Sequence, residues 1–225
     1  MKRVFDVILV VLLLFTFGCS SSANDLFSLA ENGTPEAMEK ALKEHANVNR
    51  RNDFEASPLH YAARKHSDPA MIRVLINAGA DVNMQDANDM TPLDWAVISN
   101  NNADITQALL DAGARVNIPS RDEKVLSTLC LAAKNNENLK VIEALIRGGT
   151  DIHYRDTFGY TPLHYAAQYN PNPEVIILLV KAGIPVNAVN DLKETPLDLA
   201  ESQNDNPDIA ATLRKLGTGV APSTQ

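Results

Sequence analysis

The sequence predicts an α-solenoid, in which about six similar helix pairs stack one on another into an elongated array. The first observation is a column of leucines that recurs at steps of 34 or 36 residues, at Leu59, Leu93, Leu129, Leu163 and Leu197, with Leu26 standing 33 residues earlier. A column of short polar residues and a column of glycines keep the same register. A unit of this length buries its apolar face only against its neighbours, so repetition at this interval indicates stacking.

Each unit is expected to contain two short helices. The first follows Ser or Thr, as in SPLHYAA from Ser57 and TPLHYAA from Thr161. The second follows a short polar residue that precedes proline in four of the six units, at Thr34, Asp68, Asn102, Asn138, Asn172 and Asn206. Such a side chain caps the first turn of a helix, and a proline at the next position gives up no hydrogen bond.

A glycine is expected to end the second helix in every unit except the first, which has His45 at that place. These glycines are Gly79, Gly113, Gly149, Gly183 and Gly217. Glycine adopts the left-handed conformation that closes a helix without strain. An extended segment follows, and it reads Val-Asn at Val48, Val82, Val116 and Val186 but Ile152-His153 in the fourth unit.

These motifs resemble the ankyrin-repeat family, whose Thr-Pro-Leu-His-x-Ala signature starts at Thr161 and recurs with serine at Ser57. Tetratricopeptide repeats have a similar period, but their Trp–Leu-Gly–Tyr pattern is missing here. The resemblance covers about residues 24–220, in units at 24–49, 50–83, 84–117, 118–153, 154–187 and 188–220, and leaves 221–225 as a tail. It implies an all-α array with β-hairpin fingers projecting to one side.

Composition excludes two classes of partner. The chain has 225 residues, of which 45% are hydrophobic and 21% charged, so it can bury a core and fold. Its formal charge of −8 argues against nucleic acid, whose phosphates require clustered Lys and Arg. The same charge argues against electrostatic docking onto anionic lipids.

The first residues have the pattern of an export signal. Lys2 and Arg3 precede an apolar run over 7–17, which is too short to span a membrane comfortably, so residues 1–18 are expected to be a signal peptide. Cys19 follows directly, as in bacterial lipoproteins, although Thr16 and Phe17 depart from the usual residues before the cysteine. Residues 19–23 would then be a short tether, and the protein an outer-membrane lipoprotein, acylated at Cys19 with fatty acids such as palmitate, that faces the periplasm or the cell surface. The alternatives are ordinary cleavage after Ala23, which would give a soluble periplasmic protein, and an apolar run that stays uncleaved as an anchor.

No residue pattern predicts catalysis, so no enzyme activity, cofactor, metal site or small-molecule substrate is expected. The resemblance implies that His60 and His164 bond the motif Ser or Thr and adjacent backbone. Cys130 stands among apolar residues as a small buried side chain, and Asp94 and Asp198 replace the motif histidine as local caps. No Cys and His residues have the spacing of zinc ligands.

The expected function is the binding of a protein partner, whose identity the sequence does not give. The resemblance places the contacts on the fingers and first helices, at Phe54, Arg64, Met90, Ile98, Leu126, Phe158, Tyr160, Gln168, Tyr169 and Leu192. The fifth unit is the expected centre because aromatic anchors dominate interfaces. The alternative is an immunity- or chaperone-like protein that shields one periplasmic enzyme or toxin.

Overall fold

The computed structural model describes residues 25–44, 46–118 and 126–218. These ranges contain twelve helices: α1 (Leu26–Asn32), α2 (Pro35–Lys43), α3 (Pro58–Lys65), α4 (Pro69–Asn77), α5 (Pro92–Ser99), α6 (Ala103–Asp111), α7 (Thr128–Asn135), α8 (Leu139–Arg147), α9 (Pro162–Tyr169), α10 (Pro173–Lys181), α11 (Pro196–Gln203) and α12 (Pro207–Gly217). Within these ranges no helix has the length and apolar character that crossing a bilayer demands. The predicted signal peptide, the tether with Cys19, His45 and the 221–225 tail lie outside the described residues.

The helices form two layers. Each odd-numbered helix contacts the next odd-numbered helix, each even-numbered helix contacts the next even-numbered one, and successive helices pair across the layers. Leu59, Leu93 and Leu163 are fully buried in one continuous core, as the leucine column predicts. Ala62 and Ala63 are also fully buried, and such small side chains let neighbouring helices approach closely.

Local capping sets the helix ends. The predicted polar residues cap the second helices; for example, the Asp68 carboxylate accepts a hydrogen bond from the Ala70 amide at 2.8 Å. Gly79, Gly113, Gly149 and Gly183 have φ between 81° and 109°, as predicted for left-handed helix ends. The same prediction is wrong for Gly217, which is the last residue of α12, because no finger follows that helix in the described residues.

The loop that joins each even-numbered helix to the next odd-numbered helix is called a finger here. The described residues contain no strand, so the described fingers are tight turns and not the expected β-hairpins. In one finger the Asp86 carboxylate accepts the amides of Asn88 (2.8 Å) and Met90 (2.9 Å), and the Asp86 amide donates to the Met90 carbonyl. Asn52, Asp156 and Asn190 do the same in three other fingers, so a side chain closes these four described turns where a ladder of backbone bonds would close a hairpin.

A column of asparagines, not foreseen from the sequence, ties each helix pair from α5–α6 onward to the pair before it. The Asn170 amide group is fully buried and donates to the carbonyls of Ala133 (2.9 Å) and Asn136 (3.0 Å). Its side-chain oxygen accepts the Asn172 amide at 2.9 Å. Equivalent bonds are made by Asn100, Asn136 and Asn204. Each asparagine satisfies backbone carbonyls of the preceding unit, so the column bonds successive pairs together.

His60 couples a helix cap to the next finger. Its Nδ1 accepts the Ser57 amide at 3.1 Å, so the ring proton lies on Nε2, which donates to the Met90 carbonyl at 3.1 Å. His164 does the same between Thr161 and Glu194, which confirms the bonding that the family resemblance implies for both histidines. Burial lowers the pKa of His60 to about 4 and also lowers the pKa of His164.

Stability is therefore expected to fall with acidification. His60 takes up its proton near pH 6.5 in the unfolded chain and near pH 4 in the folded chain. The contribution of neutral His60 to the free energy of unfolding is therefore complete above pH 6.5 and is lost as the pH falls from 6.5 to 4. A shift of that size corresponds to about 3 kcal/mol. His60→Gln keeps a side chain that can cap the helix but does not titrate, so its urea midpoint should vary less with pH than that of the wild type. Identical pH profiles would contradict this assignment.

Candidate protein-binding surface

The fingers and the exposed sides of the odd-numbered helices together form the surface called the finger face. The large apolar or aromatic side chains that are exposed in the described residues all lie on it: Phe54, Phe158, Tyr169, Val189 and Leu192. Four of these five were predicted from the sequence, and Val189 was not. Water-exposed apolar groups gathered on one face are typical of an interaction site.

Two neighbouring fingers carry the most exposed of these side chains. Phe158 is 67% exposed and Leu192 is 72% exposed. The Asp191 amide donates to the Phe158 carbonyl at 3.0 Å, and the Arg155 guanidinium donates to the Val189 carbonyl. The two fingers are thus bonded to each other, and these bonds hold together the backbone segments that carry the apolar side chains. Phe158, Val189 and Leu192 are called the apolar patch below.

Tyr160 stands two residues after Phe158 in the same finger and packs against neighbouring rings. Its ring is half-buried, with its centroid 5.5 Å from those of both His164 and Tyr165. Burial raises the pKa of its hydroxyl, which lies 3.5 Å from the Glu194 carboxylate. The tyrosine therefore stays protonated and positions the finger, so it offers a partner less surface than its place in the sequence suggests.

Tyr169 extends the finger face along the end of α9. The Lys134 ammonium lies 4.3 Å from the centroid of its ring, within the range of a cation–π contact. The neighbouring Gln168 donates its side-chain amide to Gln203 on α11. This corner therefore presents an exposed aromatic ring beside side chains that already have partners.

The other predicted residues are half-buried, and they do not gather around the apolar patch. This group comprises Met90, Ile98 and Leu126, which pack against the core, and Arg64, on α3. The Arg64 guanidinium bonds the Glu31 carboxylate at 2.7 Å and lies over the rings of Tyr61 (5.2 Å) and Trp95 (5.3 Å). Such contacts hold it in one position.

An aromatic column on the odd-numbered helices was missed by the sequence analysis. Trp95 donates its indole N–H to Asp86 at 3.0 Å, and the Tyr165 hydroxyl donates to Asp156 at 2.6 Å. Tyr61 holds the same place on α3. The signal was available, because each of these residues follows the third residue of its helix at the repeat interval. These rings fix the finger turns to the helices.

The even-numbered helices present a different surface. Arg73 and Gln107 are exposed there, and Gln107 donates to Asp111 one turn further on at 2.8 Å. None of the exposed large apolar side chains in the described ranges lies on these helices. In the described residues, the exposed large apolar side chains are therefore confined to the finger face, and the even-numbered helices present polar side chains.

The buried reactive groups have structural partners. Burial raises the pKa of the Cys130 thiol to about 12, so it carries no thiolate near neutral pH. The described residues hold no cluster of His, Cys, Asp and Glu that could bind a metal ion. The Asp94 carboxylate is buried, and it accepts hydrogen bonds from Thr91 at 2.7 Å and from Thr128 of the next pair at 2.6 Å.

Thr128 occupies the place where most units have proline. We expect threonine to stand there because its hydroxyl donates a hydrogen bond to Asp94. Thr128→Val would leave one Asp94 oxygen buried without a donor, so the free energy of unfolding should fall by about 1–3 kcal/mol. Thr128→Ser keeps the hydroxyl and should cost less. Urea denaturation of both variants measures the difference, and equal losses would contradict the role given to the hydroxyl.

Comparison with known proteins agrees with this architecture. A structural search matches 559 chains of solved structures, so the fold is common and does not by itself specify a partner. One matching chain belongs to the complex of the predatory endopeptidase Bd0816 from Bdellovibrio bacteriovorus with the immunity protein Bd3460. It is 27% identical with a TM-score of 0.72, and the match covers 88% of the present chain and 99% of that chain. No curated protein matches.

The family model described as ankyrin repeats (3 copies) matches residues 26–120 and 129–222. The chain therefore belongs to the ankyrin-repeat family.

Proposed function

We propose that this protein is an exported, immunity-type binding protein that shields an endopeptidase by occupying it through the finger face. The observation that carries the proposal is the one-sided distribution of exposed apolar side chains, three of which form the apolar patch on the last two fingers. Ankyrin arrays are typically binding scaffolds and not enzymes, and the buried polar groups described above are engaged in structure.

The similarity to a chain from an endopeptidase–immunity protein complex favours this specific form of binding over a general scaffold. The two chains match over 88% and 99% of their lengths, so the likeness extends over the whole array. A shielding protein and a scaffold differ in what they do to the partner. A shield abolishes the partner's activity at a stoichiometry of one to one, whereas a scaffold leaves it active.

The test is capture from an envelope extract with the immobilised mature protein. We expect it to retain an endopeptidase whose hydrolysis of a denatured protein substrate stops once the binding protein is equimolar. A Phe158→Ser/Leu192→Ser variant serves as the control and should capture less. A captured partner that stays fully active, or that has no peptidase activity, would refute the shielding role.

The same proposal places the protein at the outer membrane, anchored through a lipid on Cys19. The support is the sequence of residues 1–19. Residues 20–24 separate Cys19 from Asp25, where the described residues begin, and five extended residues reach about 17 Å, so the array would stay beside the membrane. Labelling with a fatty acid should tag the wild type and not Cys19→Ala. An unlabelled wild type whose mature N-terminus is Asn24 would exclude the anchor.

A further inference from the structure

The bases of the fingers carry a second set of bonds between successive helix pairs. The Asn83 amide group donates to the Gly113 carbonyl at 3.2 Å, and its oxygen accepts the Arg115 amide at 2.8 Å. Asn49 makes the same two bonds to Gly79 and Asp81, and Asn117 makes them to Gly149 and Asp151. These two-bond links are called brackets here, and each joins the end of one even-numbered helix to the end of the next.

Four junctions have all their bracket positions in the described residues, and one of these four lacks the bracket: the junction between the α7–α8 pair and the α9–α10 pair. His153 stands where the other junctions have asparagine, and Pro185 stands where they have the residue that donates its amide. Proline has no N–H, so the second bond is impossible whatever side chain faces it. Both halves of the bracket are therefore lost together.

A second observation falls at the same place. Thr150 is buried, and its hydroxyl has no hydrogen-bond partner. It lies three residues after the end of α8 and three residues before His153. An unsatisfied buried hydroxyl is uncommon, and the described residues hold one other, that of Thr106 on α6.

The opposite end of the same junction is fully bonded. Asn170 donates to Ala133 and Asn136, and Asn172 donates to the Glu137 carbonyl at 2.9 Å. These bonds lie where α8 and α10 begin, whereas the missing bracket lies where those helices end. The junction is thus bonded at the start of α8 and α10, and it lacks its bracket at their ends.

We propose that this junction is a hinge about the Asn170 end, which lets the α9–α12 block tilt and open at the finger end. Stability in a stacked array is a sum of unit and interface terms, so among the four junctions whose bracket positions are described, the one that lacks the bracket is where the array opens first. The block that moves carries the apolar patch. A role of the hinge in fitting the patch to a partner rests on the proposed function, but the hinge itself does not.

The test uses pairs of spin labels on the free protein, in a background with Cys19→Ala and Cys130→Ala. Labels on Arg147→Cys and Lys181→Cys, at the ends of α8 and α10, should give a distance distribution at least about twice as broad as either control pair. The first control pair, Lys140→Cys with Glu174→Cys, spans the same two helices near their starts. The second, Asn77→Cys with Asp111→Cys, spans the ends of α4 and α6, where the bracket is present.

A repair variant shows whether restoring the bracket reverses the broadening. His153→Asn with Pro185→Asp restores both halves of the bracket, and it should narrow the Arg147–Lys181 distribution to the width of the controls. Equal widths for all three pairs in the wild type would overturn the hinge, as would a broad distribution that the repair leaves unchanged. Because no partner is present, this result is independent of the shielding role.

Discussion

Asn170→Asp is expected to lower the free energy of unfolding at pH 7 by about 3–5 kcal/mol, although the two side chains have the same shape. The reason lies in the fully buried amide group, which donates to two carbonyls of the preceding pair. An aspartate oxygen in that place would face two carbonyl oxygens and bury a charge without a partner. At pH 4 the carboxyl can protonate and donate one bond, so the loss relative to wild type should be smaller there.

The matched control for this prediction is Asn204→Asp. Asn204 bonds the carbonyls of Ala167 (2.9 Å) and Asn170 (3.0 Å) in the same way, but it lies in the last helix pair and is partly exposed. Water can solvate the new charge there, so the loss should be clearly smaller. Urea denaturation at pH 7 and pH 4 measures both variants. Equal losses would show that burial within the asparagine column is not what makes the substitution costly.

Leu163→Ala is expected to cost about 2–5 kcal/mol because it leaves a cavity in the middle of the array. Leu163 is fully buried, between helices of the preceding and following pairs. Leu197 holds the same motif position in the last pair but is only partly buried, so Leu197→Ala should cost less. Chemical denaturation of the two variants tests this, and a larger loss for Leu197→Ala would contradict the stacking of α9 between two neighbours.

The parts of the structure that the sequence predicts are those set by local chemistry. Short polar caps, prolines and glycines act within one turn of chain, so the helix starts and the left-handed ends at Gly79 and Gly113 could be placed in advance. The burial of Leu163 also followed, because the motif positions repeat. The burial of Cys130 was predictable for the same reason, because it occupies the motif position that follows Leu129.

The parts that escaped prediction depend on contacts between units. The asparagine column recurs in the sequence, but nothing local indicates that Asn170 bonds carbonyls about 34 residues earlier. Tyr160 was expected as an exposed anchor, yet the neighbouring rings of His164 and Tyr165 half-bury it. The fingers were expected to be β-hairpins, but side chains such as Asp86 close them as turns.

The proposed interface on the finger face is tested by the affinity of the captured partner for three forms of the protein. Phe158→Ser/Leu192→Ser removes the two most exposed apolar side chains of the patch, and it should weaken binding by about 2 kcal/mol or more, roughly 30-fold, while far-UV dichroism stays native. Arg73→Ala/Gln107→Ala changes the even-numbered helices and should leave the Kd within about tenfold of wild type. Calorimetry that finds the first variant neutral and the second unable to bind would place the interface on the opposite face and contradict the account.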